Sequence, residues 1–130
     1  AGGIGITPFI AVLEDLGKAG KDIVLIYGNK TEADIALRNE LEKLAGKYNI
    51  KIHHVLSNQP TSPSPATYNL QLTTFSVGFV TPELIKQLVP DAAEREVFLC
   101  GPPPMMNGLL KTLPTLGIPK NKIYFEKFSL

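Results

Sequence analysis

Two short segments, near opposite ends of the chain, hold the residues whose types and spacing suit ligand chemistry. Gly2-Gly3-Ile4-Gly5-Ile6-Thr7-Pro8 sets three glycines ahead of a threonine and a proline. Glycines let the backbone take positive φ and approach a ligand closely, and Thr7-Pro8 reads as a helix start with free amides and a positive dipole end. A pyrophosphate suits that combination. Glycine-rich turns also arise for steric reasons alone, so this segment by itself leaves both readings open. A proline stands where the dehydrogenase fingerprint would place its third glycine, so that motif is not matched.

The second segment is Cys100-Gly101-Pro102-Pro103-Pro104-Met105, directly after the apolar run Glu96-Val-Phe-Leu-Cys100. The C-terminal edge of such a strand is where open α/β sheets bind ligands. A lone cysteine is more often a small buried hydrophobe than a reactive group. Consecutive prolines, however, build a rigid wall that a simple turn does not require. The tail Tyr124-Phe125-Glu126-Lys127-Phe128 reads, without further context, as an edge strand with an exposed charge and a trailing aromatic. His53 and His54 lie inside a strand with no acidic or cysteine cluster near them in sequence, so metal ligation is not expected. Neither a Gly-x-Ser-x-Gly elbow nor a Gly-Lys-Ser/Thr phosphate loop occurs.

The elements that must position these segments alternate between apolar and helical patterns, the signature of an α/β domain with a mostly parallel sheet. Phe9, Val12, Leu13 and Leu16 recur at helical spacing up to Gly17, with the Thr7 hydroxyl expected to cap the first turn. Asp22 to Tyr27 is a continuous β-branched run, as in a strand covered on both faces. A loop, Gly28 to Thr31, leads to an expected helix from about Glu32 to Lys47, with Ile35, Leu37, Leu41, Leu44 and Ala45 facing the sheet. Ile50 to Leu56 is the next strand, Ser57 to Pro65 a proline- and serine-rich loop, and Tyr68 to Val77 a short strand or hairpin. Thr81-Pro82-Glu83 opens a helix to about Val89; Met105 to Leu113 is the last helix, resuming after the prolines, and Ile123 to Phe125 the last strand. A glycine-rich turn normally leaves the end of a central strand, and none precedes Ala1. The pattern thus gives an α/β domain with a mostly parallel sheet whose first strand is missing from this chain.

Composition narrows the class. The 130 residues, 44% hydrophobic and 19% charged, fit one globular domain, and thirteen basic against twelve acidic side chains leave a formal charge of +1. No dense basic stretch or aromatic-basic interleaving suggests a nucleic-acid partner. No apolar run approaches the ~20 residues of a membrane helix. The single cysteine rules out an internal disulfide and suits a reducing compartment, and a cytoplasmic location, or the cytoplasmic side of a membrane protein, is expected.

In their order and spacing the three segments resemble the pyridine-nucleotide domain of the ferredoxin–NADP⁺ reductase superfamily, across essentially the whole chain. Ala1 to Pro8 is similar to its pyrophosphate loop, Cys100 to Met105 to its nicotinamide-side motif, and Tyr124 to Phe128 to the last strand and tail of its NADH-using members. The resemblance implies the full form of the fold, a doubly wound, mostly parallel five-stranded sheet with helices on both faces. It implies that residues 1–130 are the NAD(P)H-binding domain of an FAD-dependent oxidoreductase. The FAD-binding domain is expected upstream, since no Arg-x-Tyr-Ser/Thr flavin motif occurs here. It further implies that Gly2, Gly3, Gly5, Thr7 and Pro8 hold the pyrophosphate, that Cys100 and Gly101 lie against the nicotinamide, and that Pro102 and Met105 shape the groove. Glu126 and Phe128 would approach the nicotinamide–flavin contact, making Cys100 and Glu126 the expected catalytic pair. Asn29, Lys30 and Asp34 would meet the adenosine ribose. Glu32 and Asp34 there would repel an extra phosphate and accept from a ribose hydroxyl, whereas Lys30 cuts the other way, so NADH is favoured over NADPH. Electrons would pass to FAD and on to an iron–sulfur, haem or ferric acceptor. A docking or regulatory module without turnover is the second reading; a non-redox nucleotide enzyme would need a general base near the glycine loop, and none is evident.

Overall fold

A computed structural model describes residues 1–58 and 73–127. In chain order it contains α1 (Phe9–Lys18), β1 (Ile23–Asn29), α2 (Arg38–Lys47), β2 (Ile50–Leu56), β3 (Thr73–Val77), α3 (Pro82–Leu88), β4 (Val97–Gly101), α4 (Pro103–Thr112) and β5 (Ile123–Lys127). Every described strand pairing is parallel.

β1 is apolar throughout because it is covered on both faces. Leu25 and Tyr27 pack with Leu13 of α1 and Leu41 and Ala45 of α2. Val24 and Ile26 point the other way, against a cluster that holds Ile85 of α3, Leu99 of β4 and Met106 and Leu109 of α4. Successive side chains of a strand alternate between faces, so α1 and α2 lie on one side and α3 and α4 on the other. The doubly wound architecture is as expected.

The sheet is nevertheless not one continuous five-stranded sheet. It forms a three-stranded part, β1-β2-β3, and a two-stranded part, β4-β5. No ladder joins β1 to β4 among the described residues. A cavity of about 540 Å³ lies between them, lined by apolar side chains that include Val12, Val24, Ile26, Phe98, Leu99 and Leu109. β1 and β4 are tied together at both ends of the cavity. At the C-terminal end of the strands Ala1 and Gly2 act as a short strand: the Ala1 amino group donates to Ile26 O (2.8 Å), Gly28 N to Ala1 O (2.9 Å) and Gly2 N to Cys100 O (2.9 Å). At the other end Arg95 reaches across, with Nη2 2.6 Å from Asp22 Oδ2 and Nε 3.0 Å from both Asp91 carboxylate oxygens.

Three local expectations change. The helix expected from Glu32 to Lys47 is broken into a turn at Glu32–Asp34 and α2 from Arg38, with Leu37 between them in the left-handed region (φ 56°, ψ 31°). The cause is long-range: the Ala36 amide, which a continuous helix would aim at Glu32 O, donates instead to the Tyr27 hydroxyl (3.3 Å). Leu37 is consequently exposed rather than facing the sheet. Thr7 does not cap α1, because Gly3–Ile6 already coils as a 3₁₀ turn and Pro8 occupies the cap position with no side-chain bond. α4 starts at Pro103 rather than Met105, since prolines in a first turn lose no hydrogen bond. Thr81 caps α3 as expected, its hydroxyl accepting from Leu84 N at 3.1 Å. β3 confirms a strand within the expected 68–77 segment, parallel to β2; residues 59–72, with most of the expected loop, lie outside the described residues.

His53 and His54 are both buried in β2. His53 is held by the Thr74 and Ser76 hydroxyls at 2.6 and 2.8 Å, and His54 stacks on Phe75 with ring centroids 5.0 Å apart. Burial, with the nearby His53 and Arg38 charges, lowers the His54 pKa to about 4. The unfolded chain therefore binds a proton near pH 6.5 that the folded chain refuses until about pH 4. Stability is full above pH 6.5 and declines as pH falls through this window, by about 1.4 kcal/mol per unit of pKa separation. Urea denaturation of the protein at pH 7.5, 6 and 4.5 should show that decline, and His54→Phe should make it shallower, with His53 and the Ala1 amino group, both lowered by burial, supplying the remainder; an unchanged slope in the variant would contradict the assignment.

Candidate functional site

The glycine loop and the Cys-Gly-Pro segment, nearly a hundred residues apart in sequence, meet at the C-terminal rim of the strands. Gly2 N donates to Cys100 O, and the loop closes on itself through Gly5 N to Gly2 O (2.9 Å). The contact is too close for side chains. A Cβ on Gly5 would stand 2.5 Å from Cys100 O, and one on Gly2 the same distance from Met105 Sδ. Gly5 is a buried spacer that lets the loop lie flat against the β4 backbone, whereas Gly2 and Gly101 press on the movable end of the Met105 side chain.

Gly3 differs. It has φ +53°, is half-buried, and a Cβ there would meet nothing within 4 Å. The loop is therefore packed through Gly2 and Gly5 and open at Gly3. Thr7 is exposed and Pro8 half-buried at the entrance to α1, whose N-terminal end carries the positive pole of its dipole. Pro102 is exposed and Met105 half-buried on the β4 side. Backbone amides, a helix start and open space above a left-handed glycine form a cradle of the kind that takes a phosphate anion.

Tyr27 was not among the residues singled out from the sequence. It is fully buried, and its hydroxyl donates to Gly3 O at 2.7 Å while accepting from Ala36 N. The available signal was a tyrosine at the end of an otherwise aliphatic strand, where a buried hydroxyl must find partners. Burial holds its pKa above the ordinary phenol value, against the opposing hydrogen bond from Ala36.

The remaining expected residues are placed as follows. Cys100 is 1% exposed, so its thiol is covered while its carbonyl anchors the loop. Glu126 stands opposite Cys100 in the β4–β5 register, and Phe128 lies outside the described residues. Asn29 ends β1 half-buried, its buried side-chain amide directed at the Tyr27 hydroxyl; Lys30 is exposed. Asp34 Oδ2 accepts from the Thr31 amide (3.1 Å) and hydroxyl (2.8 Å), and Glu32 pairs with Arg38 at 3.3 Å. The two acids expected to act on a ribose or a phosphate thus have local partners.

Comparison with known proteins places the chain in a family. Residues 1–111 match the family described as the oxidoreductase NAD-binding domain. The chain belongs to that family. It is 40% identical over 128 residues to NADH-cytochrome b5 reductase 1 of Lodderomyces elongisporus, covering 94% of this chain and 39% of that protein. It is 38% identical to the Candida albicans protein of the same name, covering 94% and 40%. The chain thus spans about two-fifths of the length of these relatives. Among solved structures it resembles Malassezia yamatoensis flavohemoglobin with bound FAD and heme (TM-score 0.76, 26% identity, 98% of this chain and 30% of that one). It also shares the fold of the Amycolatopsis cytochrome P450 reductase GcoB (TM-score 0.80, 22% identity, 100% and 36%). The residues present fit an NAD pyrophosphate at Gly3.

Substitutions at the two kinds of glycine should separate packing from binding. Gly5→Ala pushes a methyl into the β4 backbone and should cost about 1–3 kcal/mol of stability or more. Gly3→Ala meets no clash and should cost about 1–2 kcal/mol from its left-handed backbone. Its methyl would stand in the open cradle and lower NADH affinity further than that stability loss explains. Urea midpoints and NADH titration of both variants check this; an NADH affinity unaltered by Gly3→Ala would contradict the division of labour.

Proposed function

We propose that this domain holds NADH for hydride transfer to an FAD carried by another domain of a longer polypeptide, which passes electrons to a haem, iron–sulfur or ferric acceptor. The observation that carries the proposal is the meeting of the glycine loop and the Cys-Gly-Pro segment at one rim, with Gly3 open between them. Family membership and the NADH-cytochrome b5 reductase relatives support it. When bound, NADH supplies the hydride and the flavin accepts it; the protein's share is orientation and electrostatics. Gly3 and the start of α1 would hold the pyrophosphate. Cys100, Gly101, Pro102 and Met105 would form the wall that sets how far the dinucleotide extends along the rim. Cys100 and Glu126, opposite each other in register, are proposed to lie beside the nicotinamide, and Asn29, at the end of β1, beside the ribose. NADH is favoured on the relatives' named nucleotide. The location proposed is cytoplasmic, or the cytoplasmic face of a membrane.

The cavity between β1 and β4 fits the same organisation. We propose that a parallel apolar strand leading into Ala1 fills it in the longer polypeptide. Ala1 and Gly2 already sit in parallel register at its end. The even-numbered amides of β1 and β4 face the cavity. In the longer polypeptide the Val24, Ile26 and Phe98 amides should exchange with solvent as slowly as that of Leu25. Fast exchange at all three would contradict an inserted strand.

Anaerobic mixing of the full-length protein with NADH or NADPH, followed by flavin absorbance, tests the activity. Bleaching by NADH, about tenfold slower or more with NADPH, is expected. Cys100→Ala should slow bleaching at saturating NADH; an unchanged rate would favour the docking or regulatory reading over turnover.

A further inference from the structure

We infer that Tyr27 is a positioning residue that sets the distance between the glycine loop and the loop before α2, and thereby dinucleotide affinity. The inference deepens the proposed NADH-binding role and rests on it. Tyr27 lies in β1, two residues before the strand ends, with its ring in the core beside His54 (centroids 5.8 Å apart). Core packing fixes the ring, so the hydroxyl has little freedom. It donates to Gly3 O and accepts from Ala36 N, and thus holds two backbone segments through a single oxygen.

The two segments need fixing for different reasons. Gly3 is left-handed (φ +53°), a region glycine enters freely and can equally leave, and Leu37, directly after Ala36, is a strained left-handed non-glycine residue (φ 56°). Such conformations persist only when surrounding contacts over-determine them. The hydroxyl supplies one such contact to each segment. Its raised pKa keeps it protonated at neutral pH, so the donation to Gly3 O does not titrate there. The same bond diverts the Ala36 amide from Glu32 O and so fixes where α2 begins. A dinucleotide laid along this rim meets the Gly3 cradle first and the loop after β1 next. Their separation is then set before the ligand arrives, and binding need not freeze it.

The test is Tyr27→Phe in the full-length protein, which keeps the ring and removes the oxygen. NADH and ADP-ribose, the latter lacking the nicotinamide, are titrated against parent and variant. Loss of one buried hydrogen-bonding group predicts Kd values about three- to tenfold higher for both ligands, by a similar factor. The rate at saturating NADH should change less than about twofold, because the interaction serves bound substrate and transition state equally. The Ala36 amide should exchange faster in the variant. Unchanged Kd for both ligands alongside a lower melting temperature would make Tyr27 purely structural and overturn the inference. A loss confined to NADH, or a fall in the saturated rate at unchanged Kd, would overturn it as well. Failure of the parent protein to bind either ligand would instead defeat the NADH-binding proposal itself.

Discussion

Gly5 lies so close to the β4 backbone that no side chain fits between them, and that contact governs how the rest of the domain is arranged. It forces the glycine loop to lie flat on the end of β4, with Gly2 N donating to Cys100 O. The loop's remaining freedom is thereby concentrated at Gly3. The neighbouring elements then follow: α1 leaves the loop on one face of the sheet, and α4 leaves the Cys-Gly-Pro segment on the other. The rim where the two meet is therefore a consequence of backbone packing before it is a ligand site. Placing bulk-free residues at the contact and a left-handed glycine beside it yields a cradle that is preorganised, so binding an anion there costs little ordering.

Much of this was legible from the order of residues. The β-branched run 22–27, the Thr81-Pro82 helix start and the alternation of strand and helix follow local rules, and the structure obeys them. The convergence of the loop and the Cys-Gly-Pro segment followed from their shared position at strand ends in an α/β sheet. What escaped was set at long range. No local pattern at Glu32–Leu37 announces a break, because the amide that causes it is captured by a hydroxyl on another element. The role assigned to Thr7 failed for a related reason, since the preceding 3₁₀ turn removes the geometry a cap requires. All three loop glycines were assigned to the ligand; a Cβ would clash at Gly2 and Gly5 and meet open space at Gly3, a difference that only their surroundings reveal.

The divided sheet shows how two half-domains are coupled. Sequence-distant pieces, β1-β2-β3 and β4-β5, are tied at one end by Ala1 and Gly2 and at the other by Arg95 between Asp22 and Asp91. The Arg95 contacts are partly exposed, so their individual worth is modest. The apolar walls of the cavity between those ties are a larger matter, because such surface gains stability only when something apolar covers it. Architecture and site are thus linked: the cavity separates the two strands whose ends form the rim.

The account stands or falls on where the dinucleotide sits. A crystal structure of the full-length protein with NADH bound would show it directly. The expected result is a pyrophosphate within hydrogen-bonding distance of the Gly3 backbone, with the nicotinamide half running toward Cys100 and Gly101. A dinucleotide bound away from this rim, with the Gly2–Cys100 contact intact and the Gly3 cradle open, would contradict it.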